Sequence, residues 1–326
     1  MRVRLPYVKE HSMEDVQILL STYNGEKYLR EQLESFIALS NFDRIKVLIR
    51  DDGSTDGTRA ILEEYAVRDD FEIFYGENVG LNASMHELVL RSDSECKYFS
   101  FSDQDDVWLP DKLERAVTLL ADAADSDVPT LYAASSSITD EELNVIGTTM
   151  IPKKKFSFYN AMVQNVCVGH TQVCNRAVME LLKLGHSPDV MVMDYWVYTL
   201  VSATGRVIYD PVYTTLYRQH GSNVIGYSSS RWQNFKKRVR RLKTRKSEQN
   251  TKQLAAFLEL YGDKIPEEYL KEGNKFLKKQ RNFFTRLGYI FTTKAYRQSF
   301  AENIVFRLMY LFGRYKIKKF KGDEAK

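Results

Sequence analysis

IKVLIRDDGSTDGTRAILEEYA, residues 45–66, opens on an apolar run, breaks into a turn of acidic, hydroxyl and glycine residues, and closes on TRAILEEYA with apolar residues at helical spacing. A short continuous apolar run is how a strand buried on both faces reads, and the closing segment reads as a helix that Ser54, Thr55 and Asp56 are suited to cap. The unit is strand, polar loop, helix. The same unit recurs on either side: VQILLS (16–21) runs through STYNG into GEKYLREQLESFIAL, FEIFYG (71–76) leads to NASMHELVLRS, and KYFSFS (97–102) leads through DQDDVWLP to DKLERAVTLLADA, which Pro110 is placed to start. Alternating strands and helices predict a mostly parallel sheet covered on both faces, and in such sheets ligands bind beyond the carboxyl ends of the strands. STYNG, DDGSTDGT and SDQDD all stand at such ends and are expected to converge on one crevice. From about 130 to 225 the pattern is shorter and mixed: TLYAAS, NVCVGHTQVCN and GRVIYDPVYTTLYRQHGSN are strand-rich pieces around a helix near DYWVYTLVSA, and this half is expected to shape the far side of the crevice. Beyond residue 230 the reading is helical.

With 326 residues, 44% of them hydrophobic and 28% charged, the chain has room for one large domain and a smaller one and no composition that suggests disorder. Cys96, Cys167 and Cys174 lack CxxC spacing, which fits a reducing cytosol. No apolar run approaches the roughly 18 residues of a membrane span, so the expectation is a soluble or peripheral protein, with 1–14 as a leader of unassigned role. Charge is uneven: residues 226–326 hold 26 Lys and Arg against 9 Asp and Glu, a net of +17, which leaves −13 for residues 1–225. RWQNFKKRVRRLKTRK, residues 231–246, has nine basic residues and no acid, with Trp232, Phe235, Val239 and Leu242 at three- and four-residue spacing. Such an amphipathic basic helix suits the headgroup layer of a membrane, while the alternative is a stripe packed on the α/β domain with its charges solvated. Nucleic acid is not expected, since zinc spacings and RNA-binding motifs are missing.

Asp103 and Asp105 follow a buried strand, and carboxylates there suit Mg²⁺ or Mn²⁺ and a diphosphate, although an acidic cluster ahead of a helix would also serve as its cap. DDGSTDGT alone is ambiguous, because any tight turn uses these residues. The combination in order is the specific signal: STYNG after the first strand, DDGS after the second, DQDD after the fourth. A GxSxG elbow and a Gly-rich, Lys-bearing phosphate loop are both missing, which argues against covalent catalysis and nucleotidyl transfer.

On STYNGEKYL, IRDDGSTDGT, FSDQDDVWLPDKLE and YRQHGSN, residues 16–225 resemble a family 2 glycosyltransferase of GT-A fold, and within that family bacterial rhamnosyltransferases of cell-wall and capsular polysaccharide. The resemblance implies an α/β fold with a Rossmann-like, mostly parallel mixed sheet over 15–225 and a helical, basic extension over 226–326. It implies an inverting, Mn²⁺- or Mg²⁺-dependent transfer of a sugar, L-rhamnose from dTDP-β-L-rhamnose, to a lipid-linked or polysaccharide acceptor. Ser21, Tyr23 and Asp52 match positions that hold the nucleotide, Asp52 accepting the imide hydrogen of the base. Gly169 belongs with the sugar-nucleotide contacts, Asp103 matches a ribose or metal contact, Asp105 a metal ligand and His220 a late metal or diphosphate contact. Asp194, ahead of an aromatic pair, matches the catalytic carboxylate, and apolar Met191, Val192 and Met193 before it are expected to desolvate it and strengthen it as a base. The other reading of Asp194 is a helix cap. Met193 and the pair Gly169-His170 depart from the family pattern. A UDP-hexose or galactofuranose donor, or a non-catalytic nucleotide-sugar-binding subunit, are the competing readings. The expected partners are the donor, a lipid-linked glycan and the inner face of the cytoplasmic membrane, with a homodimer left open.

Overall fold

A computed structural model describes residues 16–220 and 246–317. The expected leader, the GSN of YRQHGSN and all of the basic stretch 231–246 except the backbone of Lys246 lie outside the described residues.

The chain divides into two compact units, the first formed by 16–151, 167–186 and 205–220, the second by 152–166, 187–204 and 246–317. In the first unit β1 (Val16–Thr22), β2 (Ile45–Asp51), β3 (Phe71–Tyr75) and β4 (Tyr98–Ser102) pair in parallel in the order β3-β2-β1-β4. They alternate with α1 (Leu29–Ile37), α2 (Thr58–Tyr65) and α3 (Leu81–Arg91). The sheet continues through β5 (Val107–Trp108), β6 (Thr130–Thr139), β7 (Val145–Thr148), β8 (Val173–Asn175) and β9 (Arg206–Arg218). β8 is antiparallel to β4 and to β6, β9 is parallel to β6, and β5 and β7 close on β9 and β6. This is the mixed sheet that the resemblance implies, and the alternation by itself accounts for its parallel part, β1 to β4.

Both faces are covered. Val16, Ile18 and Leu20 of β1 pack in one core with Leu33 and Phe36 of α1, Leu62 of α2, and Leu113 and Val117 of α4 (Lys112–Leu120). The other face carries α3 and α6 (Arg176–Lys183), whose Leu88, Val89, Val178 and Met179 are buried. With water excluded from both sides, β1 tolerates apolar residues at consecutive positions, so it reads as a run rather than an alternation. Register then places the loops: Thr22 stands opposite Asp51 and Leu20 opposite Ser102, so the three polar loops leave the sheet at one edge.

Three local expectations shift. Within NVCVGHTQVCN only Val173–Asn175 is strand, because Thr171 N–H and Gln172 N–H turn back to the carbonyls of Val168 and Gly169 in a single 3₁₀ turn. α4 begins at Lys112 rather than at Pro110, whose carbonyl is drawn away to accept from Ser40 N–H at 2.9 Å. Of the residues expected to cap α2, Asp56 takes Thr58 N–H and hydroxyl, while Ser54 turns to Asp51.

The second unit is helical: α5 (Phe158–Ala161), α7 (Met193–Thr204), α8 (Lys246–Tyr261), α9 (Glu267–Lys278), α10 (Phe283–Thr292) and α11 (Phe300–Leu311). α7 is apolar on nearly every face and forms the centre, with Trp196 edge-on to Phe257 and Tyr198 donating to Asn160 Oδ1 at 2.8 Å. An all-round apolar helix belongs in a core, and α5 and α8 enclose it. Among the described residues no helix is long and apolar enough to cross a membrane.

Candidate active site

The site grows from the carboxyl edge of β1, β2 and β4. After β1, Ser21 Oγ lies 2.6 Å from Ser84 Oγ of α3, and Tyr23 projects with about half its surface exposed. The backbone of Tyr23 is read on both sides by Gln104, whose Oε1 accepts its N–H at 2.9 Å and whose Nε2 donates to its carbonyl at 3.0 Å. That pair fastens the first loop to the third. Gly25 lies beneath it, and a Cβ there would come 2.5 Å from Gln104 Oε1 and displace that side chain.

After β2 the two acids divide the work. Asp51 closes the turn, accepting from Ser54, Thr22 and Arg59. Asp52 is buried and accepts from Val79 N–H and Gly80 N–H, each at 2.9 Å, and from Arg50 Nη1 at 2.5 Å. Arg50 is buried as well and also holds Glu87, Ser84 and the Glu77 carbonyl. A carboxylate has about four acceptor sites, so with three in use Asp52 keeps one, on Oδ2.

After β4 the acids fall into two groups. Asp105 Oδ2 lies 2.7 Å from His220 Nε2, and the His220 ring rests 5.0 Å from that of Tyr28. Asp103, Asp106 and His170 form the other group, with one ligand atom from each lying within 4.8 Å of the others. His170 Nδ1 stands 3.4 Å from Asp106 Oδ2 and 3.6 Å from Asp103 Oδ2, too far for strong hydrogen bonds. Its Nε2 is taken by Ser136 Oγ at 2.8 Å, and its ring stacks on Tyr217. Asp106 Oδ1 accepts Arg218 N–H at 3.0 Å, and Arg218 reaches on to Asp105 O and Glu31. Beneath them the buried Lys112 donates to His170 O at 2.8 Å and lies over the Trp108 ring.

Burial dominates the electrostatics. It pushes the Asp106 carboxyl up to about 7, with His170 opposing and Asp103 and Asp105 adding to it, and it pushes the Lys112 amine down to about 7 against the pull of Asp106. Asp105 is raised by burial and by the Asp103 charge. For His170 burial works downward, but the carboxylates of Asp106 and Asp103 prevail and its value rises. Asp106 Oδ2 and His170 Nδ1 are buried and make no hydrogen bond. Buried polar atoms left in this state are costly, and two carboxylates with one imidazole nitrogen are the donor set of a small divalent cation, which would satisfy both. The residues present therefore fit a metal.

Ser21, Tyr23, Asp52, Asp103, Asp105, Gly169 and His220 all belong to the first unit, Gly169 opening the turn that presents His170. Asp194 belongs to the second, half-buried in the first turn of α7 between the buried Met193 and Tyr195. Sequence reasoning passed over Asp106 and Lys112 and met His170 only as a departure from pattern. The missed signal was that departure, an ionisable residue where a small one is usual.

The profile of the family described as Glycosyl transferase family 2 matches residues 17–182. Among curated proteins, the dTDP-rhamnosyl transferase RfbG of Shigella flexneri is 29% identical over 239 residues, 68% of this chain and 78% of its own length. The putative glycosyltransferase EpsH of Bacillus subtilis is 30% identical over 52% of this chain and 49% of its own. Among solved structures, S. aureus TarS 1–349 in complex with UDP-GlcNAc superposes with a TM-score of 0.54 at 13% identity, over 92% of this chain and 89% of that one. The mannosyltransferase PcManGT of Pyrobaculum calidifontis, with GDP-Man and Mn²⁺, gives 0.54 at 16% over 92% and 85%.

Proposed function

This chain belongs to glycosyltransferase family 2 and has the GT-A fold, and from that premise we propose that it is an inverting, Mn²⁺- or Mg²⁺-dependent transferase of L-rhamnose from dTDP-β-L-rhamnose. The observation that carries the reading is the Asp103, Asp106 and His170 group at the strand edge from which the Ser21, Tyr23 and Asp52 loops also leave. The sugar itself is supported by the likeness to a dTDP-rhamnosyl transferase. The acceptor is a lipid-linked or polysaccharide hydroxyl.

In this proposal Tyr23 offers its exposed ring to the base, Asp52 its remaining lone pair to the imide N–H, and Ser21 a hydroxyl. Asp103, Asp106 and His170 would hold the cation, which when bound offsets the charge of the departing diphosphate. Asp105, paired with His220, lines the same edge as a cation or phosphate contact. The acceptor oxygen bonds to the anomeric carbon as the carbon–oxygen bond to the diphosphate breaks, and the hydroxyl proton passes to a carboxylate. That base is Asp194, a role resting on its motif position ahead of Tyr195 and Trp196. A single displacement inverts the anomeric centre, giving an α-L-rhamnoside.

The test is donor hydrolysis and transfer across a panel of nucleotide sugars with Mn²⁺ or Mg²⁺. dTDP-rhamnose should be consumed fastest, and consumption of a UDP-sugar alone would overturn the rhamnosyl assignment. Asp194→Asn should keep donor binding within about twofold while turnover drops by roughly 10²-fold or more. Turnover left unchanged would remove Asp194 from the base role.

A further inference from the structure

We propose that the outer face of the α10–α11 pair is a docking surface for a bilayer containing anionic lipid, an inference independent of the transferase reading. The two helices run antiparallel, tied by Arg286 Nε to the Leu311 carbonyl at 2.8 Å and by Arg307 to the Ile290 carbonyl. Their inner faces are committed: Tyr289 and Tyr310 lie 4.5 Å apart, and Phe276 packs edge-on against both.

The outer faces are apolar where a soluble helix is polar. Phe284 and Phe291 of α10 are 80% and 75% exposed, and on the next helix Phe300 is 80%, Ile304 44%, Leu308 43% and Phe312, just past its end, 66% exposed. Positions 300, 304, 308 and 312 follow one another at the four-residue spacing of a single helix face. Beside them on that face, positions 301, 305 and 311 are Ala, Val and Leu, and Arg307 at its edge is turned to the Ile290 carbonyl of α10. A contiguous exposed apolar surface of this kind marks an interaction site.

Charge selects the occupant. Residues 273–317 contain ten Lys and Arg and one acid, Glu302, whose carboxylate is held by Arg297 at 3.1 Å. Lys278, Lys279 and Arg281 lead into α10, and Arg314 and Lys316 leave α11. The antiparallel arrangement brings all five, exposed, to the same end of the pair. An apolar face edged by cations matches acyl chains beneath anionic headgroups. A second copy on the same face would bring like charge against like charge across the contact.

The experiment is co-sedimentation of the full chain with phosphatidylcholine vesicles, with and without phosphatidylglycerol, alongside light scattering. Binding should require the anionic lipid and weaken with salt. Phe291→Ser combined with Phe300→Ser, at positions too exposed to matter for folding, should lower vesicle affinity by about tenfold or more while the melting temperature holds. Lys279→Gln with Arg281→Gln and Arg314→Gln should lower it by a similar order without touching the apolar face. Unchanged vesicle binding in the double Ser variant overturns the proposal, even if the wild type binds. So does a wild-type dimer that this variant converts to monomer, which would seat a second copy on the face.

Discussion

Asp106 and His170 are the side chains whose chemistry depends most on their surroundings. Each has one atom fixed by the protein, Asp106 Oδ1 by Arg218 N–H and His170 Nε2 by Ser136, and each leaves its other atom for a third partner. His170→Ala should therefore weaken Mn²⁺ binding, read by calorimetry, by on the order of tenfold or more, with Asp106→Asn doing the same. Asp105→Asn, which removes the partner of His220, should weaken it less. The reverse ranking would return the ligand role to the residues that motif position alone suggests. A second residue-scale outcome concerns Gly25. Its substitution by Ala displaces a flexible side chain, Gln104, rather than backbone, so the cost is the loss of two hydrogen bonds to Tyr23. Stability should fall by about 1–3 kcal/mol in urea titrations, and donor KM should rise as the Tyr23 loop loosens. An unchanged KM would detach that loop from donor binding.

Among elements, α3 joins the Asp52 loop to the rest of the unit. Its start is held by Asp52 through Gly80 N–H, and its outer side stacks His86 on His186 after α6, with ring centres 4.9 Å apart. Burial lowers both imidazoles below the ordinary value of 6.5, and the His186 charge lowers His86 further. As pH falls through 6.5 the unfolded chain takes up protons first, so acidification favours unfolding until the lower folded values are passed. Urea midpoints should decline between about pH 7 and pH 5, and His86→Gln with His186→Gln should flatten that decline. Equal slopes in the two proteins would mean that the stack carries no proton linkage. Elements also differed in how openly they were written. β1, β2 and β4 announced themselves because burial on both faces imposes continuous apolar runs. β8 and the Gly169–Thr171 turn did not, because their conformation depends on contacts with β4 and β6 that lie far away in sequence.

For the whole molecule, the proposed cation makes a prediction about folding. If Asp103, Asp106 and His170 bind Mn²⁺ only when assembled, saturation at about a hundred times Kd should stabilise the protein by roughly 2.7 kcal/mol, seen as a rise in melting temperature that a chelator reverses. Asp106→Asn with His170→Ala should abolish the rise; persistence of the rise would place the stabilising cation elsewhere. The sequence by itself determined the alternation of strands and helices, the loops that leave the strand ends and the family they signal, because each is a local pattern of burial and turn chemistry. Only the tertiary structure decided that His170, from a turn between distant strands, stands beside Asp106, and that α7 belongs with the C-terminal helices. Those are facts about which segments meet, and a contact between residues far apart in sequence is set by the packing of every element between them rather than by any local pattern.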